Sequence, residues 1–171
     1  DGRSIRKMKR REIAGRIAVM SQVTQIYFPF TVYETVMLGR YQHMSRRVLG
    51  NPAAEDREMV ERCLESVRLS DLRDRQIDEL SGGQRQRVWI AMALAQRTDI
   101  LLLDEPTTFL DIAHQVEVLD LLTDLNAARG TTIAMVLHDL NLAARYADRL
   151  VAMCGGRVLA DGDPAQVLDA D

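Results

Sequence analysis

Hydrophobic positions along this chain come in short blocks whose spacing switches between that of strands and that of helices. Residues 16–22, RIAVMSQ, are a brief apolar run with a polar close, which predicts a strand carrying a functional tip. Residues 23–44 mix aromatic side chains, Pro29 and the stretch YETVMLGRY, which predicts a loop followed by a short helix. Asn51 and Pro52 then announce a longer helix, Asn as its cap and Pro at the first helical position. Met59, Val60, Cys63, Leu64 and Val67 follow at spacings that mark one apolar face of it.

From Ser81 the alternation becomes regular. The pattern predicts a helix over 84–96, a strand over 100–104, a helix over 113–129 stopped by Gly130, a strand over 131–137, a helix over 140–147 and a strand over 150–153. Apolar strands without polar alternation, each separated from the next by a helix, are what a parallel sheet covered on both faces requires. The tail GGRVLADGDPAQVLDAD reads as a tight turn, an edge strand and a last helix opened by Asp163 and Pro164. The architecture is α/β and doubly wound, and in such sheets ligands sit at the carboxyl ends of the strands.

Composition narrows the classes. The 171 residues are about one domain's worth, and 47% apolar content is enough to fill its core. A balance of 22 basic against 25 acidic residues gives a net charge of −3, which offers no global attraction to nucleic acid or to an anionic membrane. Residues 1–16 are locally basic, but they carry no interleaved aromatic residues for base stacking and read as a solvated helix face. The longest apolar run, Val88 to Ala95, is far short of a membrane span, and no basic start followed by an apolar block marks a secretion signal. Cys63 and Cys154 lack CxxC spacing and read as two buried apolar thiols in a reducing compartment, while Trp89 and the methionines read as core. Asp1 has no initiator methionine before it, so the chain is expected to begin inside a longer protein.

Three constellations carry chemistry. ILLLDEP sets Asp104 and Glu105 at the end of a buried strand, where a carboxylate is not simply solvated and must serve a partner. A magnesium-nucleotide site answers that need: Asp104 holds the metal, usually through water, and Glu105 orients and deprotonates the water that attacks a γ-phosphate. Thr107, Thr108 and Asp111 further along strengthen the reading. LSGGQ at 80–84 opens the helix upstream. Ser81 with Gln84 has capping-box form, and Gly82 and Gly83 expose backbone N–H groups where unpaired donors and the positive dipole end favour a phosphate. Ser81 can serve in both roles. His138, at the end of TTIAMVL, is either a satisfied structural histidine or a donor to the γ-phosphate or its attacking water, and Gln22 at another strand tip can reach the metal's water shell.

Gln22, LSGGQ, ILLLDEP, Asp111 and His138, in that order, resemble the Q-loop, signature, Walker B, D-loop and switch histidine of an ABC transporter ATPase subunit. LSGGQRQRVWIAMALAQ joined to LLLDEPTTFLDIAHQVEVL, with TVYETVMLGRYQH and VLHDLNLAARYAD, is similar to the ATP-binding subunits of iron(III)-siderophore, haem and cobalamin importers, the siderophore branch above all. The resemblance implies a partial P-loop NTPase domain, with a largely parallel sheet flanked by helices and a helical signature subdomain. Residues 1–22 would end the catalytic core with the Q-loop, 23–96 would form the helical subdomain, and 97–171 would supply the Walker B and switch half.

By the same resemblance, ATP and Mg2+ are the cofactors. Glu105, His138 and Gln22 are catalytic, Asp104 and Gln22 attend the metal, and Ser81, Gly82, Gly83, Gln84 and Asp111 contact the nucleotide. It implies a head-to-tail dimer with a second ATPase subunit, a membrane permease touched by residues from Gln22 to about Met44, and, indirectly, an external substrate-binding protein. The place implied is the cytoplasmic side of the membrane, with no nucleic-acid partner. One departure stands out: no GxxxxGK[ST] occurs, the only lysines being Lys7 and Lys9, neither preceded by glycine. By itself the chain should therefore bind ATP very weakly, since Asp104 and Glu105 can act only around a triphosphate held by something else.

Two competing readings follow from the same motifs. DNA-organising and break-repair ATPase heads also carry a signature and a Walker B, but long coiled coils split them and no sustained heptads occur here. A non-catalytic remnant that offers LSGGQ in trans to an intact partner is the other.

Overall fold

The computed structural model describes residues 4–21, 29–43 and 52–168, and Gln22, which was expected at the first strand's tip, lies outside them. The chain divides into two compact units, residues 1–135 and 136–171. In chain order the first holds α1 (Arg10–Ala14), β1 (Ile17–Met20), α2 (Val32–Leu38), α3 (Ala54–Ser66), α4 (Gly82–Ala95), β2 (Ile100–Asp104) and α5 (Ile112–Arg129), and β3 (Thr132–Val136) runs to its end. The second holds α6 (Leu140–Tyr146), β4 (Leu150–Cys154), β5 (Arg157–Gly162) and α7 (Pro164–Leu168).

The α/β architecture is present, with sheet order β1-β2-β3. β1 and β2 run parallel, with Ile17 opposite Ile100 and Met20 opposite Leu103. Coverage differs from expectation. Ala18, Met20, Leu101 and Leu103 are buried, but Val19 is 61% exposed and Leu102 36%. Side chains of a strand alternate between faces, so a continuous apolar run states that both faces are apolar, not that both are covered. The strand over 150–153 also departs from the parallel array, because β4 pairs antiparallel with β5 in a separate two-stranded ribbon. Gly155 and Gly156, both at positive φ, turn the chain tightly enough for that hairpin. Arg149 closes it with a two-pronged bond to Asp161, at 2.7 and 3.0 Å.

α4 is the axle of the first unit. Val88, Trp89, Ile90, Ala91, Ala93, Leu94 and Ala95 are all buried, because α2, α3, β1 and α5 surround the helix. α3 turns Met59, Val60, Cys63 and Leu64 toward it, and α5 buries Val118, Leu119, Leu122 and Leu125 before Gly130, at φ +63, stops the helix. Cys63 is buried as expected, whereas Cys154 is exposed. α3 starts after Ala53, which makes no side-chain cap bond, so the helix announced at Asn51 and Pro52 begins later; Asn51 itself lies outside the described residues. Glu55 and Asp56 in its first turn complement the helix dipole instead.

The carboxyl end of α4 is closed by side chains from the segment after α2. Arg40, 3% exposed, donates from Nε to Asp56 Oδ1 at 2.8 Å and from Nη1 to the Ala95 carbonyl at 2.7 Å. Gln42 Nε2 donates to the Gln96 carbonyl at 2.9 Å, and His43 Nε2 lies 2.7 Å from the same oxygen. These bonds satisfy carbonyls that a helix end leaves orphaned. Gly39 lets the chain pass close enough, since a Cβ there would fall 2.1 Å from the Met92 carbonyl oxygen.

Arg40→Leu leaves the Asp56 carboxylate buried and unpaired, and is expected to cost about 3–5 kcal/mol in denaturant unfolding. The double variant Arg40→Leu, Asp56→Leu recovers most of that loss, because no lone charge stays inside.

Candidate functional site

The first turn of α4 is built as a reciprocal cap. Ser81 Oγ accepts from the Gln84 backbone N–H at 3.2 Å, and Gln84 Oε1 accepts from the Ser81 backbone N–H at 3.1 Å. The cap predicted from spacing is therefore present. The two glycines then divide in their roles. A Cβ on Gly83, which is buried, would sit 2.8 Å from Cδ2 of His114, so close packing excludes a side chain there. A Cβ on Gly82 would meet only Leu110 Cδ2, at an ordinary 3.7 Å. Among the described residues none crowds a side chain at Gly82, and the residue is exposed.

The tip of β2 leads into a turn with unusual backbone. Asp104, its last residue, is exposed and Glu105 is half-buried, so the premise that burial of the strand end denies Asp104 solvent does not hold. Glu105 has φ +51 and Phe109 φ +65, both left-handed for residues with a Cβ. Such strain is kept only where surroundings impose it, and it gathers at functional sites. Here Thr108 Oγ1 donates to Glu105 Oε2 at 2.8 Å and the Thr108 N–H reaches the Glu105 carbonyl at 3.3 Å, which fixes the carboxylate against its own turn. Pro106 and Thr107 are buried beneath, while Phe109 is 90% exposed.

Asp111 caps α5. Its Oδ1 accepts from the His114 backbone N–H at 3.0 Å, and His114 Nδ1 lies 2.8 Å from both carboxylate oxygens, an arrangement that places the hydrogen on Nδ1. The backbone N–H of His114 first, and its ring second, hold the Asp111 carboxyl below its ordinary range. The structure thus brings LSGGQ and Asp111 together through Leu110 and His114, with the Asp104–Glu105 pair at the other end of the same turn. Thr108 and His114 were not singled out as contacts in the sequence, although both sit three residues after the carboxylate they serve. His138 lies two residues beyond β3 in the second unit, beside Asp139, whose Oδ1 caps α6 through the Asn141 and Leu142 N–H groups at 2.8 and 3.0 Å. Among the described residues no group of three or more His, Cys, Asp and Glu side chains converges on a metal position, and no helix is long and apolar enough to cross a membrane.

The chain is similar to proteins of known family. Residues 1–108 match the family profile described as ABC transporter. The chain is 50% identical over 171 residues to a probable siderophore transport system ATP-binding protein, YusV, of Bacillus subtilis, covering all of this chain and 62% of that protein. It is 45% identical over 171 residues to the ferric enterobactin transport ATP-binding protein FepC of Escherichia coli, again covering 62% of it. The chain thus spans less than two thirds of the length of these relatives. Among solved structures, CbiO1 of Clostridium perfringens, part of the ABC transporter complex CbiONQ, superposes with a TM-score of 0.79 at 29% identity, covering 93% of this chain and 61% of that one.

Ser81→Ala removes one half of the reciprocal cap and is expected to destabilise the first unit by about 1 kcal/mol in urea unfolding. Asp111 titrates lower when folded than unfolded. Its contribution is therefore complete above the ordinary carboxylate range near about 4 and is lost as pH falls through the lower folded value. Acid unfolding of Asp111→Ala should accordingly show a shallower loss of stability in that window than the unaltered chain.

Proposed function

Because this chain belongs to the ABC transporter family, we propose that it is part of an ATP-binding and ATP-hydrolysing subunit that powers import of iron-siderophore complexes. The observation that carries the reading is the capped, glycine-bearing start of α4 seated against the Asp111 turn, with Glu105 set by that turn at the tip of β2. The names of relatives at 45–50% identity support the substrate class.

The residues fit a magnesium nucleotide in a particular way. Gly82 N–H and Ser81 Oγ stand at the exposed, positive end of a 14-residue helix, suited to an anion. Asp104 offers an exposed carboxylate, and with no cluster of ligating side chains among the described residues it would hold Mg2+ together with phosphate oxygens and water. When bound, the magnesium nucleotide supplies the phosphoryl group and neutralises charge on its oxygens. Glu105 orients the attacking water and takes its proton, its carboxylate held by Thr108. Ser81 and the α4 N–H groups donate to the terminal phosphate, and His138 is assigned a further donor role toward it. Gln22, outside the described residues, is assigned to the metal's water shell and to signalling with the permease.

No phosphate-loop motif occurs in these 171 residues. The nucleotide's other contacts are assigned to a phosphate loop lying opposite LSGGQ in a head-to-tail pair of subunits. Working on the cytoplasmic face against a permease, with an external binding protein choosing the cargo, completes the proposal.

In the complete subunit assembled with its permease, Glu105→Gln is expected to lower kcat for ATP hydrolysis by about 10²- to 10⁴-fold, the range of a general base, and to stop siderophore uptake with it. Hydrolysis within a few-fold of the unaltered transporter would remove Glu105 from that role.

A further inference from the structure

Resting on that reading, we propose that His114 is a positioning residue for hydrolysis, locking the start of the signature helix α4 to the Asp111 turn so that the two present to the nucleotide as one rigid piece. Three observations meet on this side chain. Its backbone N–H and its ring Nδ1 both bond the Asp111 carboxylate. The edge of its ring occupies the space that any side chain on Gly83 would need. His114 is also the third residue of α5, whose cap is Asp111, so the ring is aimed by the helix that the carboxylate starts.

The consequence is mechanical. Ser81 and Gly82 are exposed, and among the described residues those that face the two glycines of the α4 start are Leu110, across from Gly82, and His114, across from Gly83. Leu110 gives ordinary contact at 3.7 Å to the position of a Gly82 Cβ, which permits sliding, whereas the His114 ring is tight against Gly83 and tethered by hydrogen bonds at its other edge. Arg87, one helical turn further along α4, forms an ion pair with Glu117 on α5 and repeats the cross-link. Displacements of about 1 Å in groups that position a reacting centre cost on the order of 100-fold in rate, so a loosened ring should appear in kcat more than in ATP binding.

The test uses the complete subunit with its permease for kinetics and the isotopically labelled chain for spectroscopy. His114→Ala is expected to lower kcat about 10- to 100-fold with KM for ATP within about threefold. His114→Gln, whose amide N–H can donate to Asp111 from the same helical position, should restore most of the rate. His114→Phe keeps the ring's bulk against Gly83 without the donor, guards against a merely unfolded variant, and should fall with His114→Ala. Apart from activity, removing the imidazole should raise the titration midpoint of the Asp111 carboxyl and shift the Gly82 and Gly83 amide resonances. A kcat for His114→Ala within twofold of the unaltered enzyme, a His114→Gln no better than His114→Ala, a His114→Phe at full rate, or unmoved Asp111 and glycine resonances would each overturn the proposal. If Glu105→Gln inactivates while His114→Ala does not, this inference alone fails. If neither affects hydrolysis, the functional reading fails, and the resonances still judge the link.

Discussion

A single guanidinium holds three helices of the first unit in register. Arg40, just beyond α2, bonds Asp56 in the first turn of α3 and the last carbonyl of α4, all away from solvent. A charged pair placed inside adds little net stability over apolar residues of like size, but it tolerates few alternative arrangements. What it fixes here is position: the far end of α4 cannot slide or turn without stranding a buried charge. The chain passes from that end, within a few residues, into β2 and then to Asp104 and Glu105. The signature at one end of α4 and the acidic pair after the other are therefore tied to one packed rod.

The opposite end of the rod carries a different kind of constraint. Gly83 is required by His114, a neighbour within the chain, whereas none of the described residues crowds a side chain at Gly82. Two identical adjacent residues thus have separate causes, one internal packing and the other an open backbone. An anion-binding helix start needs both, since the donors must be bare and the helix must not yield when the anion pulls on it.

Much of the fold was readable because its signals are local. β2 spans 100–104, where an unbroken apolar run ends in Asp, and α5 stops at the glycine expected. The Ser81 cap follows from two residues three apart. The short helix α2 is only loosely marked in the sequence, because aromatic residues and Pro29 surround it, although Thr31 and Glu34 form the same reciprocal cap. What could not be read depends on partners far along the chain. Arg40 lies 55 residues from the carbonyl it closes, and the ring that demands Gly83 belongs to a helix reached only after a strand and a turn. The apolar strands recorded a capacity for burial on both sides, and spacing alone does not say whether Val19 and Leu102 are covered.

The torsions at Glu105 and Phe109 have a consequence for how this segment varies. Contact normally decides which side chains a position accepts, yet Phe109 is almost wholly surrounded by solvent. Its tolerance is set by handedness: branching at the β-carbon is disfavoured where the backbone turns left, so valine and isoleucine are poor replacements although there is room for them. Asparagine and glycine are the easiest at such a torsion. Glu105 meets the same torsion with a side chain that Thr108 bonds back to the turn, so its replacements are limited by handedness and by that bond together.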